Sequence, residues 1–182
     1  MHIVEEMQYA IRDTHISLRK KNREKEIARL YIQRIEQYEH LEYELKSYQK
    51  VYELYGKGCD ILEKQISQIH PNKQEEAKRL LNLCRFIANT VKTAIHVKQW
   101  YVCKQSLKVS YGEAKEKITN DMKNVLFAEI ENANNTIPLV EFDSRLGYEP
   151  SMEYMCDREH IEWKIKMTEQ SLKELESMEN SL

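Results

Sequence analysis

Only four glycines and three prolines interrupt 182 residues, a scarcity that argues against a fold of many short strands and tight turns. The four cysteines (Cys59, Cys84, Cys103, Cys156) include no C-x-x-C pair, so no zinc ribbon or thioredoxin-like motif of that spacing is written here. Three of them fall inside apolar helical patterns and read as small buried hydrophobes kept reduced, which suggests the cytoplasm. No run of 18 apolar residues and no charged-then-apolar leader can be read in the chain, so neither a membrane span nor export is expected. Charge of one sign is missing too. The formal net charge is −2, and the densest basic run, Arg19-Lys20-Lys21-Asn22-Arg23, is followed at once by Glu24 and Glu26. It reads as a solvated helix face, and no nucleic-acid partner is expected.

The motifs of common chemistries are also absent. There is no glycine-rich phosphate loop and no G-x-S-x-G. The six histidines form neither H-x-x-x-H nor E-x-x-H pairs. Cys156, Glu159 and His160 lie close in sequence but have no second cluster to complete a ligand set. No metal and no cofactor are expected.

What the chain has in quantity is charge (32%) mixed with hydrophobic residues (41%). That mixture is too apolar for disorder and rich in helix formers. One domain over residues 1–182 would bury roughly 70% of its unfolded surface. The periodicities predict an all-α fold: an elongated antiparallel bundle of five or six helices with one packed irregular segment at about 136–156.

A first helix is expected from Ile3, with Val4, Met7, Ile11, Thr14 and Leu18 on one face. A longer stripe follows through Tyr31, Tyr38, Leu41, Leu45, Tyr48, Tyr52, Tyr55, Cys59, Leu62, Ile66 and Ile69. It crosses Gly56 and Gly58 without losing phase, so a continuous helix with a weak point is expected there. Its tyrosines fit bundle core first and an aromatic platform second. After His70-Pro71, Asn72 with Glu75 has the form of a capping box opening a helix to about Leu107. Ser110 with Glu113 has the same form ahead of a helix over 111–135, and Asp157 can cap a last helix to about Met178.

The helix over 72–107 looks central, because its residues 80–102 are apolar on most sides. Against that background Asn82, Arg85, Asn89, Thr93, His96 and Trp100 recur at three- and four-residue steps as one polar stripe. Such a stripe is either an internal hydrogen-bond network or the lining of a cleft, and the sequence leaves both open.

Residues 129–154 differ from the rest. Ile137, Leu139, Val140 and Phe142 are interleaved with Glu141, Asp143, Arg145 and Glu149, and Pro138, Gly147 and Pro150 punctuate them. A solvated loop has no use for four large apolar side chains, so this connection should pack on the helices and its charges should pair. Arg145 is expected to clamp Glu141, Glu149 or another carboxylate, with contact to an anionic ligand such as a uronate as the lesser use. The crowd of Glu129, Glu131, Glu141, Asp143, Glu149 and Glu153 could supply a pair for glycoside hydrolysis. Any acidic helical protein offers as much, and no nucleophile or base is fixed.

Leu80-Leu81-Asn82-Leu83, Ile87-Ala88-Asn89-Thr90, Thr136-Ile137-Pro138-Leu139-Val140-Glu141 and the run from Asp143 to Tyr154 resemble the C-terminal helical region of large, mostly uncharacterised bacterial proteins. Some of those resemble glycoside hydrolases of the α-glucuronidase-like type. The resemblance covers most of residues 24–175 and is strongest at 129–154, with Tyr148 where those proteins usually carry Trp. It implies a non-catalytic accessory domain of a carbohydrate-active enzyme, attached to a catalytic domain of the same parent chain and packing on or completing a sugar site. The expected site is then the 136–154 segment with the polar stripe of the helix over 72–107; Asn89, His96, Trp100, Arg145 and Tyr148 are the residues expected near a ligand or catalytic partner, and no catalytic role carries over. The alternative is a freestanding interaction or scaffold protein, a homo-oligomer that self-associates through its tyrosine-rich helix face.

Overall fold

A computed structural model describes the backbone of residues 20–149 and 154–180, and the side chains of residues 40–147 and 156–177. Four helices lie among the described residues: α1, Lys20–Ile66; α2, Pro71–Leu107; α3, Glu113–Phe142; and α4, Arg158–Asn180. The helix expected over residues 3–18 lies outside them. The chain falls into two compact units, Met1–Glu44 and Leu45–Leu182. In the first, the described residues are helical from Lys20 onward. The second holds the rest of α1 and all that follows.

Within the second unit the helices alternate in direction. Glu63 of α1 meets Arg85 of α2, and Tyr48, earlier on α1, meets Lys98, later on α2. Asn89 and His96 of α2 meet Thr136 and Glu129 of α3 in falling order, and Glu141 and Glu129 of α3 meet Arg158 and Lys164 of α4. This is an all-α antiparallel arrangement of packed helices. No helix among the described residues is long and apolar enough to cross a membrane.

The central helix is α3 and not, as its apolar stretch suggests, α2. Helix α3 packs closely on both α2 and α4, and nine of its residues are buried against four on α2. Met122, Leu126, Glu129, Ala133, Thr136 and Val140, alternating steps of four and three, form its inward seam. Ala133 and Val140 pack with Ile161 of α4 as the core, closed by Phe86, Ile137, Leu146, Cys156 and Ile165. Leu80, Leu83 and Val97 of α2, which made that helix look central, are exposed. On α1 the expected stripe is covered in part: Cys59 is buried, Tyr52, Tyr55, Leu62 and Ile66 are half-buried, and Tyr48 is exposed, while the side chains of Tyr31 and Tyr38 lie outside the described residues. The helix passes through Gly56 and Gly58 unbroken.

Three boundaries differ from expectation, each for a local reason. Helix α2 opens at Pro71, one residue before the expected Asn72 cap. Proline has its φ preset for the first turn, and it holds the preceding His70 extended (ψ 133°). Asn72 Oδ1 instead contacts His70 Nδ1 at 2.6 Å. Ser110 does not cap α3; its hydroxyl donates to the Ser106 carbonyl at 2.7 Å and finishes α2. Gly112, at φ 55°, makes the entry to α3. The third concerns Pro138. Helix α3 runs through it to Phe142, so the irregular segment begins at Asp143 and not at 136. Proline removes the hydrogen bond to the carbonyl four residues back. Asn134 and Pro138 are both exposed, so water can reach that carbonyl while Leu139 and Val140 hold the last turn in the core.

The remaining connection is short. Tyr148–Glu149 and Tyr154–Met155 form a two-residue antiparallel ladder. Gly147, at φ 76°, starts it where a Cβ would stand 2.7 Å from Cys156 Cβ. Asp157 caps α4 as expected, accepting from His160 N at 3.0 Å.

Candidate functional site

The polar stripe of α2 meets a matching polar seam on α3. Asn89 Nδ2 donates to Thr136 Oγ1 (2.9 Å), and Thr136 donates to the Asn132 carbonyl (2.8 Å). Asn132 Nδ2 donates to the Asn89 carbonyl (2.9 Å) and to Thr93 Oγ1 (3.0 Å). Thr93 in turn donates to Glu129 Oε1 at 2.8 Å. His96 Nδ1 lies 2.5 Å from Glu129 Oε2; a carboxylate can only accept, so Nδ1 carries the proton. From α4, Lys164 Nζ pairs with Glu129 and donates to Thr93 at 3.2 Å. A single hydrogen-bonded chain thus runs from Thr136 to Lys164 and ties three helices together.

Glu129 is its charged centre, and its side chain is only 10% exposed. Burial is the largest effect on the carboxyl and pushes its pKa up. The hydrogen bonds from His96, Lys164 and Thr93, with the charge of Lys164, together outweigh burial and hold it below the usual glutamate value. Glu129 is therefore a stabilised carboxylate. With its oxygens engaged by three donors, it is ill placed to take a proton from a substrate.

The end of the network nearest His96 opens on a cavity of about 290 Å³. Thr93, His96, Glu129, Lys164, Thr168 and Ser171 form its polar part, and Trp100 and Trp163 with Val97, Leu126 and Met167 belong to its apolar part. Trp163 is 64% exposed at its mouth. Both readings of the stripe therefore hold, at different levels: an internal network from Asn89 to Thr93, and a cleft lining from Thr93 to Trp100.

The structure brings three of the expected site residues together and sets one apart. Asn89, His96 and Trp100 lie along this network and cavity. Arg145 does not. Its guanidinium donates from Nε (2.8 Å) and Nη2 (2.6 Å) to Asp143, and it borders a separate, larger hollow of about 800 Å³ with Glu75, Arg79 and Asp143. Arg79 lies 17 residues before His96 on α2, about 25 Å along the helix. The clamp expected of Arg145 exists, with Asp143 as the carboxylate. Arg145 pulls the Asp143 carboxyl down to about 2, while Glu141 is held by Arg158 at 2.5 Å. The side chain of Tyr148 lies outside the described residues. Of the stripe, Arg85 turns instead to Glu63 of α1 at 2.8 Å.

Asn132 and Thr136 fall inside the unusual 129–154 segment without being singled out there, Glu129 stands in it only as one carboxylate of a crowd, and Trp163 and Lys164 have no place in the expected site. A signal existed for two of them: Glu129 and Thr136 interrupt the apolar phase of Met122, Leu126, Ala133 and Val140. Lys164 has no such mark, since lysine beside an apolar phase is what any surface helix shows. Among the described residues no group of His, Cys, Asp and Glu is arranged to hold a metal ion. No family model, curated protein or solved structure matches the chain.

Proposed function

We propose that this chain is a non-catalytic helical binding module that takes its ligand in the cleft between α2, α3 and α4. One observation carries the reading: a satisfied charged network, ending in buried His96, opens into a cavity walled by Trp100 and Trp163. A purely structural network has no need of an open side flanked by two indoles, one of them largely exposed. Binding sites of this kind combine apolar walls with a few fixed polar groups. Glu129, engaged by three donors, suits holding better than reacting, hence the non-catalytic role. The resemblance of residues 24–175 extends the proposal: the module would be an accessory domain of a bacterial carbohydrate-active enzyme, with the catalytic domain of the same parent chain as its partner. The test is a fragment screen on the isotope-labelled chain, following the indole N–H resonances of Trp100 and Trp163. Saturable shifts of both, lost in Trp100→Ala, are expected. A screen of sugars and small aromatics that moves neither resonance refutes the reading.

A second reading, a freestanding protein that self-associates, rests on α1. Lys98 and Lys92 lie over the rings of Tyr48 and Tyr52 at 5.4 and 5.7 Å, so each ring has a partner within the chain, and Tyr48 stays exposed. Leu54 and Ile61, one heptad apart on the neighbouring face, are 55% and 65% exposed. Light scattering would then give an oligomer that Leu54→Glu with Ile61→Glu dissociates. A monomer at high concentration excludes it.

A further inference from the structure

The polar groups around the cavity restrict what can occupy it. Its charged lining is Glu129, Lys164 and His96. The Lys164 ammonium is paired with Glu129, so an anion entering the cavity finds no cation free of a counter-ion. A cation meets a carboxylate already neutralised. Either would leave water for an apolar wall without a compensating charge, which is costly. An uncharged ligand has no such penalty.

Hydrogen-bonding capacity narrows the class further. Thr168 spends its hydroxyl proton on the Lys164 carbonyl (2.8 Å) and Ser171 spends its own on the Met167 carbonyl (3.1 Å). Both line the cavity, and toward any third group they can only accept. Thr93 is saturated: it donates to Glu129 and accepts from Asn132 and Lys164. His96 donates its Nδ1 proton to Glu129. The hydroxyl oxygens of Thr168 and Ser171, left with acceptor capacity alone, call for a donor on the ligand. Shape agrees. A cavity of about 150 Å³ holds benzene, so about 290 Å³ takes one ring with its substituents between Val97 and Met167, with the indoles of Trp100 and Trp163 offering flat faces.

We infer that the cavity beside His96 binds an uncharged, ring-shaped ligand that donates hydrogen bonds to Thr168 and Ser171. The inference rests on the binding reading above and specifies its ligand. Two sources share this chemistry, a neutral sugar ring and a phenol-like aromatic, and matched probes separate them.

The experiment titrates the full chain with phenol, anisole, benzoate, methyl glucoside and glucuronate, reading the indole N–H shifts of Trp100 and Trp163. Phenol or methyl glucoside should bind, whichever is the better naming the source. The charged partner of each, benzoate or glucuronate, should bind at least about ten-fold more weakly, and anisole, which lacks the donor, should fall below phenol. Thr168→Val, close in shape, should weaken the better ligand several-fold; Trp163→Ala, at an exposed position that leaves the fold intact, should weaken it about ten-fold. Glucuronate or benzoate binding as tightly as its neutral partner overturns the inference while leaving the binding reading standing, as does anisole matching phenol. Shifts from none of the five overturn both.

Discussion

Removing the ammonium from the Glu129 network tests whether that network is an energetic unit. In Lys164→Met the α4 side chain keeps its length and apolar stem, but Glu129 loses one of three donors and the positive charge of the ammonium. Breaking a fully buried ion pair costs about 3–5 kcal/mol, while an exposed pair is worth about 0–1. This pair lies between, since the Glu129 side chain is 10% exposed and that of Lys164 38%. Water reaches the ammonium, and His96 and Thr93 remain on the carboxylate. The expected loss is therefore about 1–3 kcal/mol, the worth of a hydrogen bond to a charged group. The acid limb gives a second readout. The Glu129 carboxyl sits below its unfolded value of 4.5 in the folded protein, so its contribution is complete above that value and is lost as pH falls through the lower folded one. Without Lys164, burial is opposed by fewer groups and the folded pKa rises. The variant should lose stability at higher pH than the wild type, and the difference between them should shrink as Glu129 is protonated. Urea unfolding followed by far-ultraviolet circular dichroism, stepped down from about pH 7 through the carboxylate range, measures both effects. A cycle with Glu129→Gln should give a coupling of about 1–2 kcal/mol. A Lys164→Met protein within about 0.5 kcal/mol of wild type and with an unshifted acid limb would show that the ammonium is solvated and that His96 and Thr93 suffice.

Other positions are decided by backbone and space. Gly147→Ala combines a left-handed φ of 76° with a Cβ 2.8 Å from the Cys156 carbonyl oxygen; a loss of at least about 2 kcal/mol in denaturant unfolding is expected, and a near-neutral result would refute the turn geometry. Gly56→Ala and Gly58→Ala lie inside α1 with nothing within 4 Å of the new methyl, so each should raise stability by about 0.5–1 kcal/mol, and a loss from either would mean that α1 needs a weak point. Arg145→Ala removes a guanidinium 73% exposed whose partner among the described residues, Asp143, lies two residues away; calorimetry should find an unchanged melting temperature, and the ligand response at Trp100 should persist. Loss of that response alone would return Arg145 to the site.

The all-α class, the antiparallel order and the Asp157 cap were legible because each is written in local spacing. The misjudged boundaries at Asn72, Ser110 and Pro138 share a cause: a capping box or a proline states a preference, and neighbours decide whether it is used. Pro71 pre-empted Asn72, the end of α2 took Ser110, and the burial of Leu139 and Val140 carried the helix past Pro138. Half of the site was legible for the same reason. The α2 stripe is a local pattern, and the structure places Asn89, Thr93, His96 and Trp100 in one line.

Which helix is central is not a local property, and here the site and the fold answer the same question. A long apolar stretch on α2 suggested burial on all sides, yet Leu80, Leu83 and Val97 remain exposed. The helix that is buried, α3, carries Glu129, Asn132 and Thr136 among its buried residues. Those residues can be inside only because α2 brings Asn89, Thr93 and His96 opposite them and α4 brings Lys164; without partners each would carry the cost of an unmet buried polar group. An unbroken apolar stretch therefore does not identify the central helix, and complementarity of polar partners does. The network is complete from Asn89 to Thr93. At its other end the network reaches His96, which lines the cavity with Trp100 and Trp163. Arg145 has no part in that network, and this difference is the physical reason for proposing the binding site beside His96 and not at Arg145.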